Sequence, residues 1–160
     1  MLNESLAEEV ILFFQKYLSF YKEFFQLETD KFNDISLNKV SKIDSYVKSE
    51  EVFMLKSRGL EQERERLIAK TGTSVTTFRE LIPLFESPQR EQIQGIFDEF
   101  SEVLLNLKEI NLRCNYLTEL RLHRIENDLK KLEKRPDLQK IYDAQAREGK
   151  PAPSFLSKKI

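Results

Sequence analysis

The first thirty residues carry an apolar row at helical spacing. Apolar residues recur there at alternating intervals of four and three positions, which is the heptad spacing of a coiled-coil face. The row consists of Leu6, Val10, Phe13, Tyr17, Phe20, Phe24 and Leu27. Phe14, Leu18, Tyr21 and Phe25 lie beside it, and so broad a face favours packing against more than one neighbour. The pattern predicts an amphipathic helix from about Ser5 to Phe32, about 40 Å long.

A second long helix is predicted from about Ser36 to Lys70, with a weaker apolar row. The row begins at Val40, is interrupted at Glu50 and then continues in a shifted position with Phe53, Leu60 and Leu67. Gly59 lies inside this helix and costs about 1 kcal/mol relative to alanine. The charged segment LEQERERLI is typical of a solvated helix face.

Glycine and proline residues predict helix ends in the middle of the chain. Gly72 predicts the end of the second helix. Thr73 or Ser74 is then the predicted N-cap of a short helix at about 74–86, which Pro83 and Pro88 close. The pair Ser87-Pro88 is a favourable start for the next helix.

The last long helix is predicted from Pro88 towards Lys134. Its apolar seam is regular and consists of Ile93, Ile96, Phe100, Val103, Leu107, Ile110, Cys114 and Leu117. The seam stops because the next two positions are Arg121 and Arg124. A new, offset row follows, made of Leu122, Ile125, Leu129 and Leu132. The fold class is therefore all-α: long antiparallel helices in a coiled-coil-like bundle, with residues 1–134 as the helical domain and residues 135–160 as a mostly disordered tail.

Composition and charge exclude several classes of protein. Charged residues make up 33% of the chain and the net charge is −1, which does not favour nucleic acid as a partner. The longest unbroken apolar run of the first helix is Val10 to Phe14, much shorter than the roughly twenty residues of a membrane span. The single cysteine, Cys114, permits no disulfide within the chain and fits a cytoplasmic protein. Residues 1–34 nevertheless carry a net charge of −4 and residues 121–159 one of +5.

Candidate catalytic and metal-binding residues are few. His123 is the only histidine, and its distance along the chain from Cys114 fits no zinc pattern, so we interpret it as a surface residue. Cys114 lies in the apolar seam, where a small buried side chain is expected rather than a nucleophile. The sequence contains no glycine-rich phosphate loop. We therefore expect no enzyme activity, metal or cofactor.

Two features have both a functional and a structural interpretation. Asn111 and Asn115 are four residues apart on one helix side. They either form hydrogen bonds across a helix interface and set its register, or they are solvated amides. The row of Leu122, Ile125, Leu129 and Leu132 either packs on the first helix or is left available to bind a helix of another protein.

Three segments in this order resemble the FlgN-type flagellar export chaperones. The second helix ends in the Glu-x-Glu-Arg motif of Glu61–Arg64, a short Thr-Phe-x-Glu-Leu piece follows at Thr77–Leu81, and the last helix carries Leu107, Asn111 and Asn115 at intervals of four. The resemblance covers about residues 5–133. It implies a cytosolic chaperone for hook-associated proteins, the proteins of the hook–filament junction, which it delivers to the flagellar type III export gate. Residues with implied roles are Leu122, Ile125, Leu129 and Leu132 as cargo contacts and Tyr142 as an export-gate contact.

Other functional classes predict different properties for the last helix and the C-terminal end. A structural or adaptor bundle without a cargo groove would bury the row that begins at Leu122. A nucleic-acid regulator that uses the basic C-terminal end would bind with steep salt dependence. For a chaperone, the expected partners are junction proteins and the export gate, without nucleic acid or membrane insertion, and the free protein could form a weak homodimer.

Overall fold

Four α-helices contain most of the residues that the structure describes. The computed structural model describes residues 2–135 and residues 137, 140, 141, 143 and 144. Within them the order is α1 (Glu4–Ser36), a 3-10 turn (Val40–Lys42), α2 (Ile43–Lys70), α3 (Phe78–Leu81), a second 3-10 turn (Ile82–Leu84) and α4 (Gln89–Glu133). None of the described residues is in a β-strand, which confirms the all-α prediction. The predicted tail, residues 135–160, falls mostly outside the described residues.

The turn after α1 differs from the prediction. The first helix continues to Ser36 rather than Phe32, and the second begins at Ile43 rather than near Ser36. The reason is Asn38, whose φ of +65° is left-handed, a conformation that asparagine tolerates better than most residues. The Lys39 N–H donates to the Asp34 carbonyl at 2.9 Å and thereby satisfies one of the last carbonyls of the helix.

The N-cap of the short helix was also predicted wrongly. Gly72 does follow the end of α2, with a φ of +65°, as predicted. The cap of α3, however, is Thr77 rather than Thr73 or Ser74. Thr77 and Glu80 form a capping box, in which the Thr77 hydroxyl accepts from the Glu80 N–H at 3.3 Å and the Glu80 carboxylate accepts from the Thr77 N–H at 3.0 Å. The short helical piece therefore covers residues 78–84 instead of 74–86.

The chain divides into two compact units, and the first comprises the described residues up to Leu27 and Val47–Glu109. In this unit α1 and α2 are antiparallel, because the partners of successive α1 residues move backwards along α2. Glu9 pairs with Lys70, Lys16 pairs with Glu63 at 2.8 Å, and Phe24 stacks on Phe53. The first part of α4 runs parallel to α1, since Leu2 bonds to Leu84 just before α4 and Tyr21 contacts Phe100 further along.

The core of this unit is rich in aromatic residues. Phe14 stacks on Phe78 with 3.6 Å between ring centroids, and Tyr17 stacks on Phe100 at 5.1 Å. The Tyr17 hydroxyl donates to the Glu61 carboxylate at 3.2 Å, and burial raises the pKa of this tyrosine above its usual value. The bonded Arg64 guanidinium lowers the pKa of Glu61. The apolar opening segment is thus the core face of α1, as its periodicity predicted.

Candidate functional site

The second unit contains the end of α1, the turn into α2 and the later part of α4. It comprises Glu28–Tyr46 and the described residues from Ile110 onward. The end of α1 and this part of α4 run in the same direction. The Cys114 thiol donates to the Glu28 carbonyl at 3.8 Å, and Arg121, seven residues later, donates to the carbonyl of Ser36, eight residues after Glu28. The last residue of α1 therefore lies beside Arg121 of α4.

Arg121 binds the end of α1. Its guanidinium donates to the Ser36 carbonyl at 3.3 Å and to the Asn38 side chain. The C-terminal carbonyls of a helix carry partial negative charge, and α1 has no basic residue of its own in its last turn. Arg121 supplies that positive charge from α4. This explains why the apolar seam of α4 stops at residue 121. The side chain at this position still faces α1, but it contacts the polar C-terminal end of that helix.

Replacing Arg121 with alanine should destabilise the protein by about 1–3 kcal/mol, because a hydrogen-bonded cation at the α1 terminus is lost. Urea unfolding followed by circular dichroism measures this. Arg121→Lys keeps the positive charge but lacks the planar guanidinium whose two terminal nitrogens donate to two acceptors. This variant should therefore recover part of the lost stability. Equal stability of the alanine variant and the unchanged protein would show that these bonds do not hold the α1 end.

The turn between α1 and α2 has its own polar cluster. The Tyr46 hydroxyl donates to the Asp34 carboxylate, and the ammonium groups of Lys39 and Lys42 lie 3.6 and 3.5 Å from the same carboxylate. The hydrogen bond from Tyr46, with help from the two lysines, lowers the pKa of Asp34. The same bond raises the pKa of Tyr46 to about 12. These contacts connect the end of α1 to the start of α2.

The offset apolar row follows immediately after Arg121. The side chains of Leu122 and Leu129 are exposed, at 44% and 42%, while Ile125 and Leu132 are half-buried. Residues 122–133 add about 18 Å of helix beyond the last residue of α1. Among the described residues of this unit, no hydrogen bond or ion pair joins them to the end of α1 or the start of α2. This stretch of helix therefore presents part of its apolar face to solvent.

The two asparagines belong to the same helix side as the row. Asn115 lies one heptad before Leu122, and Asn111 lies two heptads before Ile125. Both side chains are exposed, and neither has a hydrogen bond to another of the described residues. A role in setting helix register thus remains a prediction that concerns a partner.

Three further residues singled out in the sequence are Cys114, His123 and Tyr142. Cys114 is buried in the seam, as expected, and His123 is exposed. Among the residues that the structure describes, no three histidine, cysteine, aspartate or glutamate side chains form a group that could hold a metal ion. Tyr142 lies outside the described residues. No helix in the described ranges is long and apolar enough to cross a membrane.

Sequence reasoning missed two features of this unit. The first is Arg121, whose only signal was a charge at a seam position. The second is an exposed apolar row on the opposite side of α4, made of Leu112, Tyr116 and Leu120, whose spacing of four residues was visible in the sequence. This row gives α4 a second exposed apolar surface.

The fold and the site define a class: an all-α protein in which one long helix continues past the end of its neighbour with an apolar face exposed. Comparison with protein-family models then identifies the family, because the model described as FlgN protein matches residues 1–149, so the chain belongs to the FlgN family. This is a family of flagellar export chaperones, whose members bind flagellar proteins. The predicted resemblance is thereby confirmed. Comparisons with curated proteins and with solved structures gave no match.

Proposed function

We propose that this protein is a cytoplasmic chaperone that binds the terminal helices of hook-associated proteins, keeps them unassembled and delivers them to the flagellar type III export gate. Membership of the FlgN family supports the general role. The observation that carries the proposal is that α4 continues beyond Arg121 with Leu122 and Leu129 exposed. Together with Ile125 and Leu132, these side chains are the proposed cargo contacts.

The physical basis is the coverage of one apolar helix face by another. A terminal helix that pairs with other helices in an assembled filament exposes an apolar stripe while the protein is still a monomer, and such stripes aggregate. The row on α4 has apolar residues at i, i+3, i+7 and i+10, and such alternating intervals of three and four residues are those by which one helix binds another. Full burial of each leucine or isoleucine contributes about 1.5–3 kcal/mol, from which the cost of association is subtracted. Reversible binding of this kind needs neither a metal nor a nucleotide.

Delivery to the export gate is the second part of the proposal. The family resemblance implies a tyrosine contact in the C-terminal part, and Tyr142 is the only tyrosine after residue 135. Because Tyr142 is outside the described residues, its role rests on the resemblance alone.

Hydrogen exchange tests the cargo site directly. In the free protein, the amides of residues 122–133 should exchange faster than those of residues 10–20, which lie in the buried part of α1. Addition of a purified hook-associated protein should slow exchange in residues 122–133 and leave residues 10–20 unchanged. Co-expression of the two proteins followed by size-exclusion chromatography gives the stoichiometry of the complex.

The competing function is an adaptor bundle without a cargo groove. The observation in its favour is that Ile125 and Leu132 are half-buried rather than exposed. This alternative predicts that residues 122–133 are as well protected as residues 10–20 in the free protein, and that no junction protein changes their exchange. That result would rule out the chaperone site.

A further inference from the structure

The charges beside the offset row differ between its two sides. In heptad terms, Leu122 and Leu129 occupy position a, and Ile125 and Leu132 occupy position d. The e positions, which follow d, are then Glu126 and Glu133. The g positions, which precede a, are Arg121, Asp128 and Arg135. One side of the row is therefore uniformly acidic, whereas the other carries both signs.

The structure shows that the acidic side is available. Glu126 and Glu133 are exposed, and neither forms a hydrogen bond or ion pair with another described residue. On the other side, Arg121 is already bonded to the end of α1, and an Arg135 nitrogen lies 3.9 Å from the Asp137 carboxylate. The two glutamates are one heptad apart, or about 10 Å along the helix axis. They form a negative edge parallel to the exposed leucines.

We infer that the bound partner is an amphipathic helix with basic side chains at seven-residue spacing along one edge of its apolar stripe, the edge that faces Glu126 and Glu133. The inference rests on the proposed function, because it requires the row itself to be the binding surface. Charges at e and g positions determine which helix pairs with which and in which direction. An arginine or lysine opposite each glutamate would be attracted, while an acidic residue there would be repelled.

The same heptad assignment indicates how the partner helix is aligned along α4. Asn111 and Asn115 occupy d and a positions before the apolar part of the row, and both are exposed. A partner helix that extends over them would need polar side chains opposite the two amides, since an apolar residue would leave them without hydrogen bonds. The partner stripe is therefore expected to change from apolar to polar along its length.

Synthetic helical peptides test the inference on the full-length protein. The first has leucine at a and d, lysine at e and glutamine at g; the second has lysine at g and glutamine at e. Two counterparts carry glutamate in place of lysine. At low salt, at least one lysine peptide should bind about fivefold to tenfold more tightly than its glutamate counterpart, measured by fluorescence anisotropy. The glutamates of the protein occupy e positions, which lie opposite e positions in antiparallel helices and opposite g positions in parallel helices. Tighter binding of the peptide with lysine at e therefore indicates an antiparallel complex, and tighter binding of the peptide with lysine at g indicates a parallel one.

Charge reversal in the protein provides the decisive comparison. In the variant E126K/E133K the preference should invert, so that a glutamate peptide binds more tightly than its lysine counterpart. The matched control E8K/E102K changes the net charge equally at exposed positions of the other unit and should keep the original preference. Equal affinities for lysine and glutamate peptides, or an unchanged preference in E126K/E133K, would overturn the inference.

The design separates this inference from the proposed function. Substitution of Leu129 by aspartate removes an apolar contact without touching the glutamates, and it should abolish binding of all four peptides. If it does so while lysine and glutamate peptides bind unchanged protein equally, the row is the binding surface but its acidic edge does not select the partner. If no peptide depends on Leu129, the binding surface itself is wrongly placed.

Discussion

Substitution of both Ile125 and Leu129 by aspartate should lower the affinity for a hook-associated protein by about a hundredfold or more. Two apolar contacts are lost, each equivalent to about 1.5–3 kcal/mol on full burial, and two carboxylates would have to be desolvated in the complex. Helical content should change little, because Leu129 is 42% exposed and Ile125 only half-buried in the free protein. Isothermal titration calorimetry measures the affinity, and circular dichroism measures the helical content.

The opposite side of the same helix supplies a matched control. Tyr116 and Leu120 are also exposed apolar residues of α4, but they belong to the row that faces away from the seam residue Cys114. The variant Y116D/L120D should keep the affinity of the unchanged protein. Loss of helical structure in I125D/L129D would instead identify the offset row as part of the core, and loss of binding in Y116D/L120D would move the cargo site to the other side of α4.

The second large effect concerns stability. Replacement of Phe14 by alanine should lower the free energy of unfolding by about 3–5 kcal/mol, the usual cost of truncating a buried phenylalanine. Only 2% of Phe14 is exposed, and its ring stacks on Phe78 and forms T-shaped contacts with Phe13 and Tyr17. Filling the cavity would require these closely packed rings to move. Urea denaturation measured by circular dichroism gives the change.

Leu12 is the matched control for this substitution. It lies two residues earlier on the same helix but is 65% exposed. Leu12→Ala should change the free energy of unfolding by no more than about 0.5 kcal/mol. Similar losses for the two alanine variants would mean that the aromatic cluster does not dominate the core of this unit.

The existence and type of the long helices followed from the spacing of apolar residues. Burial of an apolar stripe drives helix packing, so a row such as Val10, Phe13, Tyr17 and Phe20 predicts both a helix and its buried face. The regular seam of α4 likewise predicted that Cys114 is buried. Helix ends were less predictable, because they depend on competing local hydrogen bonds. Thr73, Ser74 and Thr77 all suit an N-cap, and only Thr77 has a glutamate three residues later to complete the box.

Residues 122–132 show what the local pattern left open. Their spacing predicted an amphipathic helix but gave no indication of whether another element of the chain covers the row. The exposure of Leu122 and Leu129 depends on where α1 stops relative to α4, which is set by the left-handed Asn38 and by contacts of Arg121 with residues 83 and 85 positions earlier in the chain. Periodicity is a property of near neighbours along the chain, and it therefore determined the helices and their apolar faces. Which of these faces stays uncovered was decided only when the tertiary structure brought Arg121 to the end of α1.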